Sequence, residues 1–167
     1  AELKAMGYTH ILFAVGAWKA GRLDIEGAVA GVIQWMKGVK AGNIAVSGSV
    51  AVVGAGNTAM DAARLAKRSG AESVTIVYRR TKKYMPADEH ELALAIADGV
   101  NFAELAAPVK QADGLLTCEK MVLGEADASG RRSPVGTGEY FTIPCDLVIS
   151  AVGEQVDDAL LGANGVE

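Results

Sequence analysis

Metal-binding side chains are scarce in this chain, which holds two histidines and two cysteines in 167 residues. His10 and His90 stand alone, and His90-Glu91 lacks the second histidine that a zinc-protease helix needs. Cys118 and Cys145 are far apart and form no Cys-x-x-Cys pair. The sequence therefore predicts no metal or iron–sulfur site within the chain, and two reduced core thiols in a cytoplasmic protein. Basic residues are also in deficit. Sixteen Lys and Arg against twenty Asp and Glu leave a net charge of −4, which gives no support to nucleic-acid binding. No apolar run reaches membrane-spanning length and no signal-peptide pattern opens the chain, so no membrane contact is expected. Aromatic residues make up only 5%, whereas half of all residues are hydrophobic and 20 are glycine. That balance suits an α/β protein whose helices lie close on a parallel sheet. The length allows one good core, or one domain with pieces of another.

Residues 50–61 carry the strongest signal. The run Val50-Ala51-Val52-Val53 meets Gly54-Ala55-Gly56-Asn57-Thr58-Ala59, and a small-residue helical pattern follows. Strand, Gly-x-Gly-x-x-Ala and helix together place a pyrophosphate at a helix N-terminus. Gly54 allows the tight turn, Gly56 lets the backbone approach phosphates, and Ala59 takes the third small position. The competing reading is a tight structural turn without a ligand.

The next strand, Ser73 to Tyr78, ends in Arg79-Arg80-Thr81-Lys82-Lys83. A site for NAD usually offers an acidic residue there, to the ribose 2′-hydroxyl. Two guanidiniums suit a 2′-phosphate instead, because their planar donors grip phosphate in pairs. NADPH is thus expected over NADH. The plainer alternative is a solvated basic turn.

Along the chain the pattern predicts a helix end at Glu2 to Met6 and a buried strand over Tyr8 to Val15. A helix follows over Ala28 to Val39, with the glycine-loop strand and its helix next, closing near Ser69-Gly70. After the arginine pair come a helix from about Pro86 to Asp98-Gly99 and a strand over Val100 to Leu105. Leu115 to Gly124 and Tyr140 to Ile143 read as antiparallel strands joined by a polar loop, 125–139, with Arg131-Arg132 facing solvent. Asp146 to Ala151 is a last buried strand. Trp18 and Trp35 are expected to cover a domain junction. The expected architecture is a Rossmann-like parallel sheet with a β-meander crossover. Ile11 to Ala17 echoes Val148 to Glu154, an apolar run closing in Ala-x-Gly.

The ordered set Gly54 to Asp61, Val77-Tyr78-Arg79-Arg80, Met85-Pro86-Ala87, Glu91 and Gly99-Val100 resembles one family in particular. It is that of the glutamate synthase small subunit and dihydropyrimidine dehydrogenase, NADPH-dependent flavoprotein reductases. The texture also resembles bacterial iron–sulfur oxidoreductase subunits of the selenate-reductase type. The resemblance implies that residues 1–44 connect from an FAD domain. It makes 45–145 the NADPH-binding domain and 146–167 the return connection. NADPH would pass a hydride to FAD, with iron–sulfur clusters beyond, both held by a flavin domain and an iron–sulfur domain or subunit outside this chain. The chain is expected to be an excised piece of that reductase, inactive alone. Gly54, Gly56, Asn57, Thr58 and Ala59 would hold the pyrophosphate, and Arg79 and Arg80 the 2′-phosphate, with Lys83 a third contact. Ala151, Val152 and Gly153 would pass near the nicotinamide. No side chain need act as acid or base, since hydride transfer is cofactor chemistry. A non-catalytic dinucleotide-binding module is the alternative from a different class.

Overall fold

The computed structural model describes residues 2–17, 19–128 and 130–165. A single helical turn, α1 (Glu2–Ala5), ends at Gly7, whose φ of +90° suits a residue without Cβ. The chain then reaches β1 (Lys19–Ala20) without forming the strand expected over Tyr8 to Val15. Those residues are exposed, Leu12 to 91%. Hydrophobicity alone does not make a strand, because a backbone needs a partner ladder, and no strand among the described residues lies beside this segment. β2 (Val29–Gly31) leads directly into α2 (Val32–Lys40), so the helix expected from Ala28 starts later. Parallel pairing of Val29, Ala30 and Gly31 with a later strand claims those residues first.

β3 (Ser49–Val53), α3 (Asn57–Arg68) and β4 (Ser73–Tyr78) form one crossover, and α4 (Glu89–Ala97) with β5 (Asn101–Glu104) a second. A short 3-10 turn, Lys82–Tyr84, precedes α4. The Asp88 side chain caps α4 by accepting from the His90 N–H at 2.8 Å, which starts the helix after Pro86 rather than at it. Leu105 has a φ of +52° and turns the chain out of the parallel sheet. β6 (Ala106–Ala112), β7 (Leu115–Ala126) and β8 (Arg132–Pro144) then form an antiparallel meander. Sequence patterning missed β6, and most of the polar stretch expected as loop is ladder, with β7 running to Ala126 and β8 starting at Arg132. Cross-strand hydrogen bonds hold exposed polar residues in β8, where alternation of hydrophobicity gives no signal. β9 (Leu147–Ser150) closes the sheet, and β10 (Glu154–Gln155) pairs antiparallel with β1 before α5 (Asp158–Ala163).

The five parallel strands lie in the order β2-β9-β3-β4-β5. β3 is buried on both faces, as a central parallel strand must be. Its alternate residues divide between two cores. Val50 and Val52 pack with Val74, Ile76 and Ile149 against Ala59, Met60, Ala63 and Ala66 of α3. Ala51 and Val53 pack with Val77 and Val148 against Leu116 and Cys118 of the meander. Alanines on the buried face of α3 allow the close helix–sheet approach that the composition implied. Trp35 is 3% exposed within the first core, not at a junction surface, and Trp18 lies outside the described residues.

Candidate functional site

Strand order reverses at β3. β4 and β5 lie to one side of it, while β9 and β2, reached from elsewhere in the chain, lie to the other. Such a switch point leaves a crevice beyond the strands' carboxyl ends, because successive connections leave in opposite directions. The glycine loop occupies that point. Gly54 has a φ of +128°, and a Cβ built on it would sit 2.2 Å from the Ala151 carbonyl oxygen. Its N–H donates to the Val77 carbonyl at 3.1 Å, and the Ala151 N–H donates to the Val53 carbonyl at 2.8 Å. Gly54 is therefore glycine for the fold's own sake.

Gly56 differs. Its φ of −89° and ψ of 174° are open to any residue, and a Cβ there would meet nothing within 4 Å. It caps α3 without a side-chain hydrogen bond. The amides of the first helical turn face outward without i−4 partners, and the helix dipole favours an anion beside them. Glycine here leaves open space at the start of α3.

A cavity of about 580 Å³ opens over these strand ends. Gly54, Gly56, Arg79, Arg80, Ala151, Val152 and Gly153 line it, bringing together seven of the residues singled out from sequence. Asn57, Thr58, Ala59 and Lys83 are not in its wall. Ala59 is fully buried between helix and sheet, as its small size suggested. The Asn57 Oδ1 accepts from the Asp88 N–H at 3.0 Å, tying the start of α3 to the cap of α4. Lys83 is exposed, with its Nζ 5.9 Å from the centre of the Tyr84 ring.

The two arginines after β4 are unlike. Arg79 is exposed, whereas Arg80 is only 9% exposed and its Nε donates to the Arg132 carbonyl at 3.1 Å. The remaining guanidinium N–H groups of Arg80 are not used by that bond. Sequence reasoning missed Arg22 and Arg131, which also line the cavity. Arg131 was expected to face open solvent, and only the return of the β7–β8 hairpin brings it to the strand ends. The wall thus carries four guanidiniums and no carboxylate.

Behind the site, α3 and α4 are fixed by an ion network. Arg64 Nε and Arg68 Nη2 each lie 2.9 Å from Asp98 Oδ2, and Arg64 Nη1 lies 3.4 Å from Glu91 Oε2. Hydrogen bonds from Arg68 and then Arg64 hold the Asp98 carboxyl below its ordinary range, and the Asp98 bond raises Arg64. Under the sheet, burial pushes the Cys118 thiol up to about 12, with a smaller push from Cys145, which burial also raises. Burial thus favours the thiol form of both sulfurs.

The family pattern for pyridine nucleotide-disulphide oxidoreductases matches residues 1–167, the whole chain. The chain belongs to that family. Among curated relatives, the YgfK protein of Escherichia coli (strain K12) is 43% identical over 99% of this chain and 17% of its own length. The NADPH-Fe(3+) oxidoreductase subunit beta of Geobacter sulfurreducens is 36% identical over 98% of this chain and 26% of its own. The glutamate synthase [NADPH] small chain of Azospirillum brasilense is 46% identical over 65% of this chain, in keeping with the resemblance carried by residues 54–100. The chain therefore spans between 17% and 26% of the two long relatives. In fold it is similar to Mycobacterium tuberculosis FprA in complex with NADPH, with a TM-score of 0.66 over 84% of this chain at 19% identity.

Proposed function

We propose that residues 45–145 form the NADPH-docking domain of a cytoplasmic flavoprotein oxidoreductase. On this reading residues 1–44 and 146–167 are the two connections to an FAD domain, and iron–sulfur clusters lie in a further domain or subunit. One observation carries the proposal: the cavity at the sheet's switch point is walled by a ligand-clear glycine and four arginines with no acid. An anionic ligand with more than one phosphate fits that donor set. The names of relatives support the choice of nucleotide, for they include an NADPH-Fe(3+) oxidoreductase and an NADP(+)-dependent formate dehydrogenase.

The chain's own residues bind and orient. Backbone amides of Gly56, Asn57 and Thr58 take the pyrophosphate, with Ala59 keeping the helix close to the sheet behind them. Arg79 and Arg80 take the 2′-phosphate, and Lys83, at the rim, adds only general positive charge. Ala151, Val152 and Gly153 present small groups beside the nicotinamide, so its ring can lie against a flavin. The bound nucleotide supplies the hydride, and no side chain of this chain moves a proton.

Calorimetric titration with NADPH and NADH tests the proposal. Arg79→Ala with Arg80→Ala is expected to weaken NADPH about 10-fold or more while leaving NADH nearly unchanged, the scale of lost charge-assisted hydrogen bonds. Equal losses for the two nucleotides would remove the 2′-phosphate assignment. Tight NADPH binding by a full-length protein with no flavin reduction would favour a non-catalytic binding module.

A further inference from the structure

Four hydrogen bonds hold the β7–β8 hairpin in place near its bend. Asp127 Oδ1 accepts from the Arg131 N–H at 3.0 Å, and the Asp127 N–H donates to the Arg131 carbonyl at 2.9 Å. The next residue, Arg132, donates from Nε to the Gly124 carbonyl at 2.7 Å. Its own carbonyl accepts from Arg80 Nε at 3.1 Å, which fastens the hairpin to the end of β4. Both backbone groups of Arg131 are thus satisfied, and its neighbour is anchored on two sides. The Arg131 guanidinium, by contrast, has no hydrogen bond and no carboxylate partner among the described residues. It lines the same cavity as Arg79 and Arg80.

Arg79, Arg80 and Arg131 on the wall of one cavity, with no carboxylate among its lining residues, make it a favourable place for an anion. A phosphate dianion suits it, because its three oxygens can accept from several guanidinium forks at once. On the premise that the cavity takes NADPH, we infer that Arg131 is a third guanidinium on the 2′-phosphate, delivered from the meander rather than from β4. The 2′-phosphate, not the pyrophosphate, is its partner because the Arg80–Arg132 bond places the hairpin bend at the β4 end of the cavity. Specificity for the phosphorylated nucleotide is then shared between two parts of the fold, and Arg80 both contacts the phosphate and positions Arg131.

The full-length protein titrated calorimetrically with 2′,5′-ADP and, separately, with 5′-AMP tests this. Arg131 is exposed, so truncating it leaves the core untouched. Arg131→Ala is expected to weaken 2′,5′-ADP about 10-fold and 5′-AMP less than about 2-fold. Arg131→Lys should recover part of the loss, since it keeps the charge but not the fork. Unchanged 2′,5′-ADP binding, or equal weakening of both ligands, would overturn the assignment. If the unaltered protein binds neither ligand, it is the dinucleotide reading itself that fails.

Discussion

Replacing Gly54 with alanine would put a methyl group 2.2 Å from the Ala151 carbonyl oxygen at a φ of +128°. A left-handed backbone costs an L-residue about 1–2 kcal/mol. The clash is with backbone just past the end of β9, so no rotamer change relieves it, and forcing an extra methyl into such a site costs about 1–3 kcal/mol more. Gly54→Ala should therefore lose about 2–5 kcal/mol, a large part of the about 5–15 kcal/mol that holds a domain. For a chain of this size each kcal/mol lowers Tm by about 2–4 °C. Gly56→Ala meets nothing within 4 Å and keeps an ordinary φ of −89°. A weaker helix cap is offset by a less flexible unfolded chain, so its stability should change by less than about 1 kcal/mol. On the proposed reading its methyl group occupies the space that the phosphates take, and NADPH affinity should fall steeply. Urea unfolding of both variants, alongside NADPH titration, separates the two effects. Equal destabilisation by both, or a Gly54→Ala protein as stable as the parent, would refute the division of roles between the two glycines.

Two further outcomes follow from the electrostatics. Asp98 is held below its ordinary range by Arg68 and Arg64, so it stabilises the fold above the unfolded carboxylate range. That contribution is lost as pH falls through the lower folded value; melting curves from neutral pH down to about 3 should show it, and Asp98→Asn should flatten the acid limb. Cys118, pushed up to about 12 by burial, should resist alkylation at pH 8 in the folded protein and react once urea exposes it. Reaction of the native protein at the rate of an exposed thiol would contradict the packing of the second core.

Much of this protein was legible locally. The run from Val50 to Asp61 combines β-branched residues, two glycines and a small-residue helix. Each of those choices acts through backbone conformation or close packing, which is written in neighbouring residues. The arginines after β4 were found for the same reason, being a fixed distance along one crossover from the loop. Tyr8 to Val15 failed because its hydrophobicity reports a surface to be covered, and among the described residues no strand lies beside it to form a ladder. Val29 to Gly31 failed in the opposite direction, with pairing to β9 overriding a helical spacing. The first part of β8, residues 132–139, was read as loop because its exposed polar residues owe their conformation to cross-strand bonds, whereas Tyr140 to Ile143 was legible as strand.

The amino-acid sequence by itself determined the crossover, the conformations of the glycine loop and the basic end of β4, since these depend on spacing within about thirty residues. Tertiary structure alone decided that β9 lies beside β3, so that Ala151 bounds the cavity and Gly54 cannot bear a side chain. It also decided that a hairpin bend some fifty residues beyond Arg80 returns to it, as the 52-residue separation of the Arg80–Arg132 bond records. Such contacts close long loops, and their stability comes from ladders and cores assembled from distant segments. No local pattern can encode them.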